Sequence, residues 1–193
     1  MREFLQLFGR FLRQPRTVGA VAPSSRILAR EMVRGLDLGA AVRLAELGPG
    51  TGAFTREIVD RLGPAGRFLA IELEPEFAAA IKHKWPAVDC VCASAAMLAP
   101  LAAERRLKPV DHIISGLPFA SLPGEMTREI LDGIQEVLRP GGTFTAFQYV
   151  HAYGLPPAVA FRREITARLG GPPAKRLVIR NIPPAWVLRW TRT

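Results

Sequence analysis

The chain has 193 residues, 49% hydrophobic and 22% charged, so it can bury one sizeable core and is too short for two average domains. The uncharged run Cys90 to Ala103 is broken by Pro100 and falls well short of the roughly 20 apolar residues that a membrane-spanning helix needs. The 26 basic and 17 acidic residues leave a net charge of +9, which favours an anionic partner, either nucleic acid or a phospholipid surface.

The first residues divide into two faces on a helical projection. Met1, Phe4, Leu5, Leu7, Phe8, Phe11 and Leu12 gather on one side, and Arg2, Glu3, Gln6, Gly9, Arg10 and Arg13 on the other. Large aromatic residues opposite a basic face predict an interfacial helix over residues 1–16, lying in the headgroup layer of an anionic membrane surface. Arg2, Phe4, Leu5, Phe8, Arg10, Phe11, Leu12 and Arg13 are its expected membrane-binding set. Docking of the same helix on its own domain is the plainer alternative. The stretch has no unbroken apolar core and no small-residue cleavage site, so no secretory signal is expected. The protein is expected in the cytoplasm, peripherally associated with the inner face of the cell membrane.

Residues 17–193 are expected to form one domain. Short β-rich runs at Val42 to Leu47, Arg67 to Ile71, Val88 to Cys92, His112 to Ser115 and Thr143 to Tyr149 alternate with helical patterns near Ala53 to Leu62, Glu74 to Lys84 and Gly124 to Leu138. Such alternation predicts βαβ units and a parallel sheet covered by helices on both faces. Arg139-Pro140-Gly141-Gly142 reads as a stop signal that forces a turn into the fifth strand. A helix from about Pro157 to Leu169 then precedes two alternating runs, Lys175 to Arg180 and Trp186 to Arg192, which are too closely connected to pair other than antiparallel. The expected fold is therefore α/β and Rossmann-like, with a mostly parallel seven-stranded sheet and a C-terminal antiparallel strand pair.

Glu46-Leu47-Gly48-Pro49-Gly50-Thr51-Gly52 falls between the first strand and its helix, where glycines permit close ligand approach. No Gly-Lys-Ser/Thr follows, and the spacing is G-x-G-x-G rather than the G-x-G-x-x-G of dinucleotide folds. Glu46 is poorly placed beside a pyrophosphate and well placed for the ammonium of an amino-acid moiety. The second strand ends in Glu72, followed by Leu73, about 20 residues after the loop, where parallel-sheet enzymes take ribose hydroxyls. Capping of the following helix is the plainer account of Glu72. An ammonium and a ribose without phosphate point to S-adenosyl-L-methionine. After the third strand, Ser94 and Ala95 occupy the place expected beside adenine, and Ser94 equally suits a helix N-cap.

Ser115-Gly116-Leu117-Pro118-Phe119 leaves the fourth strand where the reactive methyl should lie. Methyltransferases of the adenine amine carry Asn or Asp at the first of these positions, because a conjugated amine needs a side-chain carbonyl. Ser115 fits an alkylamine better. Beyond the fifth strand, Tyr149 and Tyr153 add ring faces suited to methylated ammonium groups, and His151 adds a proton acceptor. The base is expected to be water or Tyr149. His83 and His112 read as structural, and Cys90 and Cys92, two apart, suit neither a disulfide nor a metal site.

The segment from Phe11 to Val33, the loop Glu46 to Gly52, Ser115 to Phe119, and Arg180-Asn181-Ile182-Pro183-Pro184-Ala185 together resemble the bacterial phospholipid N-methyltransferase family. That resemblance implies a class I methyltransferase sheet and an N-terminal membrane helix. It also implies stepwise methylation of phosphatidylethanolamine toward phosphatidylcholine by in-line displacement, with S-adenosyl-L-homocysteine as product. Nucleic acid and metal are not expected partners. An RNA adenine N6-dimethyltransferase and a non-catalytic lipid-binding module are the alternatives.

Overall fold

A computed structural model describes residues 25–39 and 41–193. The proposed membrane helix over residues 1–16, with its basic and apolar faces, lies outside the described residues, as does the boundary at residue 17. Helix α1 (Arg26–Val33) opens on Ser25, whose hydroxyl accepts from the Leu28 amide at 3.2 Å. The chain then alternates through β1 (Arg43–Leu47), α2 (Ala53–Val59), β2 (Arg67–Glu72), α3 (Pro75–Lys84) and β3 (Asp89–Cys92). It continues through α4 (Leu98–Glu104), β4 (Val110–Ser115), α5 (Gly124–Val137), β5 (Leu138–Tyr149), α6 (Pro156–Leu169), β6 (Ala174–Val178) and β7 (Ala185–Thr191).

The seven strands form one sheet in the order β3-β2-β1-β4-β5-β7-β6. β1 to β5 are parallel, and β7 lies antiparallel between β5 and β6. The expected architecture is thus present. Alternation along the central strands sends one set of side chains to each face. Leu47, Leu69, Ile71, Ile113, Phe144 and Trp190 pack with Leu98 of α4, Ile134 of α5 and Phe161 of α6. Leu44, Phe68, Ala70 and Ile114 pack on the other face with Met32 of α1, Ile58 of α2 and Ile81 of α3. Arg189 of β7 fastens α1 across the sheet end, donating to the Met32 and Arg34 carbonyls at 2.9 and 2.6 Å.

Two local readings change. Arg139 to Gly142 does not separate a helix from a later strand, because β5 already pairs with β4 at Val110 and Leu138. The register shifts before His112 and Thr143, and Arg139, Pro140 and Gly141 loop out to solvent with Gly141 at φ +72°. Helix α4 was hidden inside an uncharged run whose Pro100 reads as a breaker. It falls at the third residue of the helix, where a missing amide costs no internal hydrogen bond. His112 is structural as expected: its Nδ1 lies 2.8 Å from the Thr143 hydroxyl, and burial lowers its pKa.

Candidate active site

The carboxyl ends of β1, β2 and β4 meet at one edge of the sheet, and the Glu46 to Gly52 loop fills the space between them. The backbone amide of Gly48 donates to the Ile71 carbonyl at 2.9 Å and that of Gly116 to the Leu47 carbonyl at 2.8 Å, so the three strand ends are stitched together. Gly48, Gly50 and Gly52 all have positive φ, at 71°, 55° and 82°. A Cβ on Gly52 would stand 2.5 Å from the Trp85 ring, and one on Gly116 would stand 2.5 Å from the Gly48 carbonyl oxygen. Gly50 differs, because nothing lies within 4 Å of the position its Cβ would take. The loop therefore packs tightly against the protein at both ends and leaves open space at its centre.

Two carboxylates flank that space. Glu46 is wholly buried on the α2 side of the sheet, and one of its oxygens accepts from the Thr55 hydroxyl at 2.7 Å. The other, Oε1, is buried without a partner. Burial pushes the Glu46 carboxyl up to about 8, with the Thr55 bond opposing the shift and the charge of Glu72 adding to it. Glu72, 2% exposed, accepts from the Gly50 amide at 2.8 Å and from the Glu74 amide at 3.0 Å. Burial raises its pKa as well, against those amide bonds. Glu72 thus ties the glycine loop to the start of α3. An orphaned acidic oxygen and an uncovered glycine beside a second carboxylate fit the ammonium and ribose of S-adenosyl-L-methionine.

Thr55 was missed in the sequence. Its signal is position, three residues past the last glycine on the helix face turned to β1. Ser94 caps the short 3₁₀ turn Ala95–Met97 by accepting from the Ala96 amide at 3.3 Å, and Ala95 is buried beside it. Leu73 is half-buried, with its carbonyl accepting from the Cys92 thiol at 3.6 Å.

The expected acceptor residues divide. Gly116, Leu117 and Pro118 remain at the strand edge, with Leu117 lying against Gly48. Ser115 is fully buried and its hydroxyl accepts from the Leu117 amide at 3.2 Å, which closes its own turn. Phe119 turns inward: it is 3% exposed and stacks on Phe161 at 4.1 Å, with Phe144 edge-on at 6.3 Å. The core offers that ring more apolar contact than a crevice would, so its expected place against substrate is corrected to a packing role.

Tyr149 and His151 stack in parallel, 5.6 Å apart. Burial pushes the Tyr149 phenol up to about 12, so it keeps its proton at neutral pH and is no ground-state base. Tyr153 already holds a cation. The Arg162 guanidinium lies 3.7 Å over its ring and donates to Gln148 Oε1 at 2.6 Å and to the Tyr153 carbonyl at 2.8 Å. That face is closed to a substrate ammonium, and Arg162 and Gln148 instead brace the segment that leaves β5. Among the described residues no cluster of His, Cys, Asp or Glu could hold a metal ion.

Residues 44–142 match the family described as a methyltransferase domain, Methyltransf_25. The chain belongs to this family. It is a class I, S-adenosylmethionine-dependent methyltransferase, and its sheet order is consistent with that membership. It is 33% identical over 147 residues to an ornithine lipid N-methyltransferase of Singulisphaera acidiphila, an alignment covering 75% of this chain and 77% of that protein. It is 32% identical over 96 residues to ribosomal RNA small subunit methyltransferase A of a Burkholderia species, covering 49% of this chain and only 34% of that one. Among solved structures it resembles the Burkholderia thailandensis 1,6-didemethyltoxoflavin-N1-methyltransferase, which was crystallised with S-adenosylhomocysteine. That likeness has a TM-score of 0.70 at 18% identity and covers 98% of this chain and 87% of that one.

Proposed function

We propose that this methyltransferase methylates the headgroup amine of a membrane lipid at the inner face of the cell membrane, carrying phosphatidylethanolamine stepwise toward phosphatidylcholine. The observation that carries the reading is the β4 loop. A nucleobase amine is conjugated and calls for a side-chain carbonyl and a stacking ring. Here Ser115 has no side-chain carbonyl and its hydroxyl oxygen accepts from the Leu117 amide of its own turn, and Phe119 is stacked inside the core. An aliphatic amine asks for neither once it has lost its proton. The kinship to an ornithine lipid N-methyltransferase supports a lipid acceptor and supplies a second substrate to test, since ornithine also presents aliphatic amines.

S-adenosylmethionine supplies, when bound, an electrophilic methyl group on a good leaving group. Glu46 would hold its ammonium, Glu72 its ribose, and Ser94 with Ala95 would border its adenine. The loop from Gly48 to Gly52 leaves room for it over Gly50, while Gly116, Leu117 and Pro118 form the wall on the acceptor side. Tyr149 and His151 present stacked rings that suit an increasingly methylated ammonium. With the Tyr149 phenol protonated, the acceptor amine delivers its proton to water, and the protein contributes alignment and dehydration.

Incubation with methyl-labelled cofactor and vesicles of phosphatidylethanolamine, vesicles of ornithine lipid, or 16S ribosomal RNA decides among these. Label in phosphatidylethanolamine is expected. Label confined to ornithine lipid would move the substrate within the same class. Label in RNA would overturn the reading, and cofactor binding without transfer to any acceptor would favour the binding module.

A further inference from the structure

The two edges of the sheet are chemically unlike. At the amino edge, Arg105 pairs with Asp89 at 2.8 Å, Arg139 with Asp111, and Lys108 with Glu136. The large apolar side chains left exposed among the described residues are Ile27, Met97, Val150, Leu155, Val159, Leu177, Ile179 and Ile182. They fall at or within one turn of the carboxyl edge. Met97, Val150 and Leu155 follow the ends of β3 and β5, Val159 stands one turn into α6, and Leu177 is the penultimate residue of β6. Ile27 starts α1, which is held to this edge by the Ser25 amide donating to Asn181 at 3.3 Å.

The β6–β7 loop carries the two most exposed of these side chains. Ile179 is 70% exposed and Ile182 is 83% exposed, while Asn181 between them is 2% exposed. This arrangement inverts the usual one, in which isoleucine is buried and asparagine faces water. Asn181 donates to the Pro183 carbonyl at 2.6 Å, and Val150 donates to the Pro184 carbonyl at 2.9 Å, so the loop is pinned with its isoleucines outward. Arg180 stands exposed between them, whereas Arg176, further back on β6, is paired with Glu31 at 2.6 Å. Because Ala185 pairs with Tyr149, the loop lies at the same edge as the cofactor crevice. Three strand spacings, about 14 Å, separate β7 from β1.

We propose that this carboxyl edge, led by Ile179, Arg180 and Ile182, is a contact surface for an anionic phospholipid bilayer, distinct from the amphipathic stretch at residues 1–16. It rests on the reading that the acceptor is a membrane lipid. Two separated apolar prongs with Arg180 between them suit the headgroup layer, where isoleucine enters the acyl boundary and arginine stays at the phosphates. A bilayer docked there meets the mouth of the reaction crevice, so a headgroup reaches the site while its acyl chains stay in lipid.

The full-length protein is sedimented with vesicles of phosphatidylglycerol and phosphatidylcholine, which offer charge and no acceptor amine. I179S/I182S is expected to lower the partition coefficient about tenfold or more, with unchanged melting temperature and unchanged affinity for S-adenosylhomocysteine by calorimetry. I182W is expected to keep binding and to gain tryptophan emission that lipids brominated on their acyl chains quench. Unchanged partitioning of I179S/I182S together with unquenched I182W overturns the proposal. So does a change, without vesicles, in either the oligomeric mass of I179S/I182S or the protease sensitivity of residues 1–24. Those two results would assign the surface to a second copy or to the chain's own first residues. Loop-dependent vesicle binding with no label in any aminolipid would sink the lipid-methylation reading and leave this surface standing. Label in detergent-dispersed lipid with loop-independent vesicle binding would do the reverse.

Discussion

Replacing Glu46 with glutamine tests the cofactor crevice most directly. The carboxyl is wholly buried, one oxygen has no partner, and its pKa is raised from 4.5 to about 8. The folded protein therefore keeps a proton on Glu46 up to about pH 8, whereas the unfolded chain releases it near pH 4.5. Stability from this group is fully present below the unfolded pKa and is lost as pH rises through the folded one. At 1.36 kcal/mol per pH unit, the separation amounts to at most about 5 kcal/mol. The amide of E46Q does not titrate, and its carbonyl still accepts from Thr55. Urea denaturation should give the variant and parent a difference that is constant below pH 4.5, then shifts in favour of E46Q by several kcal/mol between about pH 5 and 9. The same change removes the carboxylate proposed to hold the cofactor ammonium, so calorimetry at about pH 8.5 should show S-adenosylhomocysteine binding weakened by about 1.5 to 3 kcal/mol, roughly 10- to 150-fold. A pH-independent difference in stability combined with unchanged binding would refute both the burial argument and the assignment.

Three further outcomes follow from the geometry. Gly116→Ala would drive a Cβ to 2.5 Å from the Gly48 carbonyl oxygen, and calorimetric melting should show about 1 to 3 kcal/mol of destabilisation from the forced separation of the two loops. Phe119→Leu should cost about 1 to 2 kcal/mol in chemical denaturation by loosening the Phe161 stack, with KM for lipid unchanged, whereas a large rise in KM without loss of stability would return that ring to the acceptor site. With the Tyr149 phenol raised to about 12, kcat/KM for phosphatidylethanolamine at saturating cofactor should climb about tenfold per pH unit from about 7 to 9 as the free-amine fraction grows. A plateau near neutrality would reveal a base on the protein.

Local signals were enough for the frame of this protein. Strand and helix periods, the G-x-G-x-G turn and the two glutamates beside it are all matters of short sequence spacing, so the parallel sheet, the terminal antiparallel pair and the position of the glycine loop between β1 and α2 were legible in the sequence. The direction in which residues beyond the strand ends would turn was not. Phe119 left the acceptor wall because Phe161 and Phe144, distant in sequence, offered a drier place for its ring. Arg162 took the face of Tyr153, Thr55 took one oxygen of Glu46, and Trp85 closed over Gly52. Each of these depends on which helix packs against which strand, a choice settled by side-chain shape and burial across the whole sheet. Sequence order alone determined where the crevice had to open, and tertiary packing decided which side chains were free to face it.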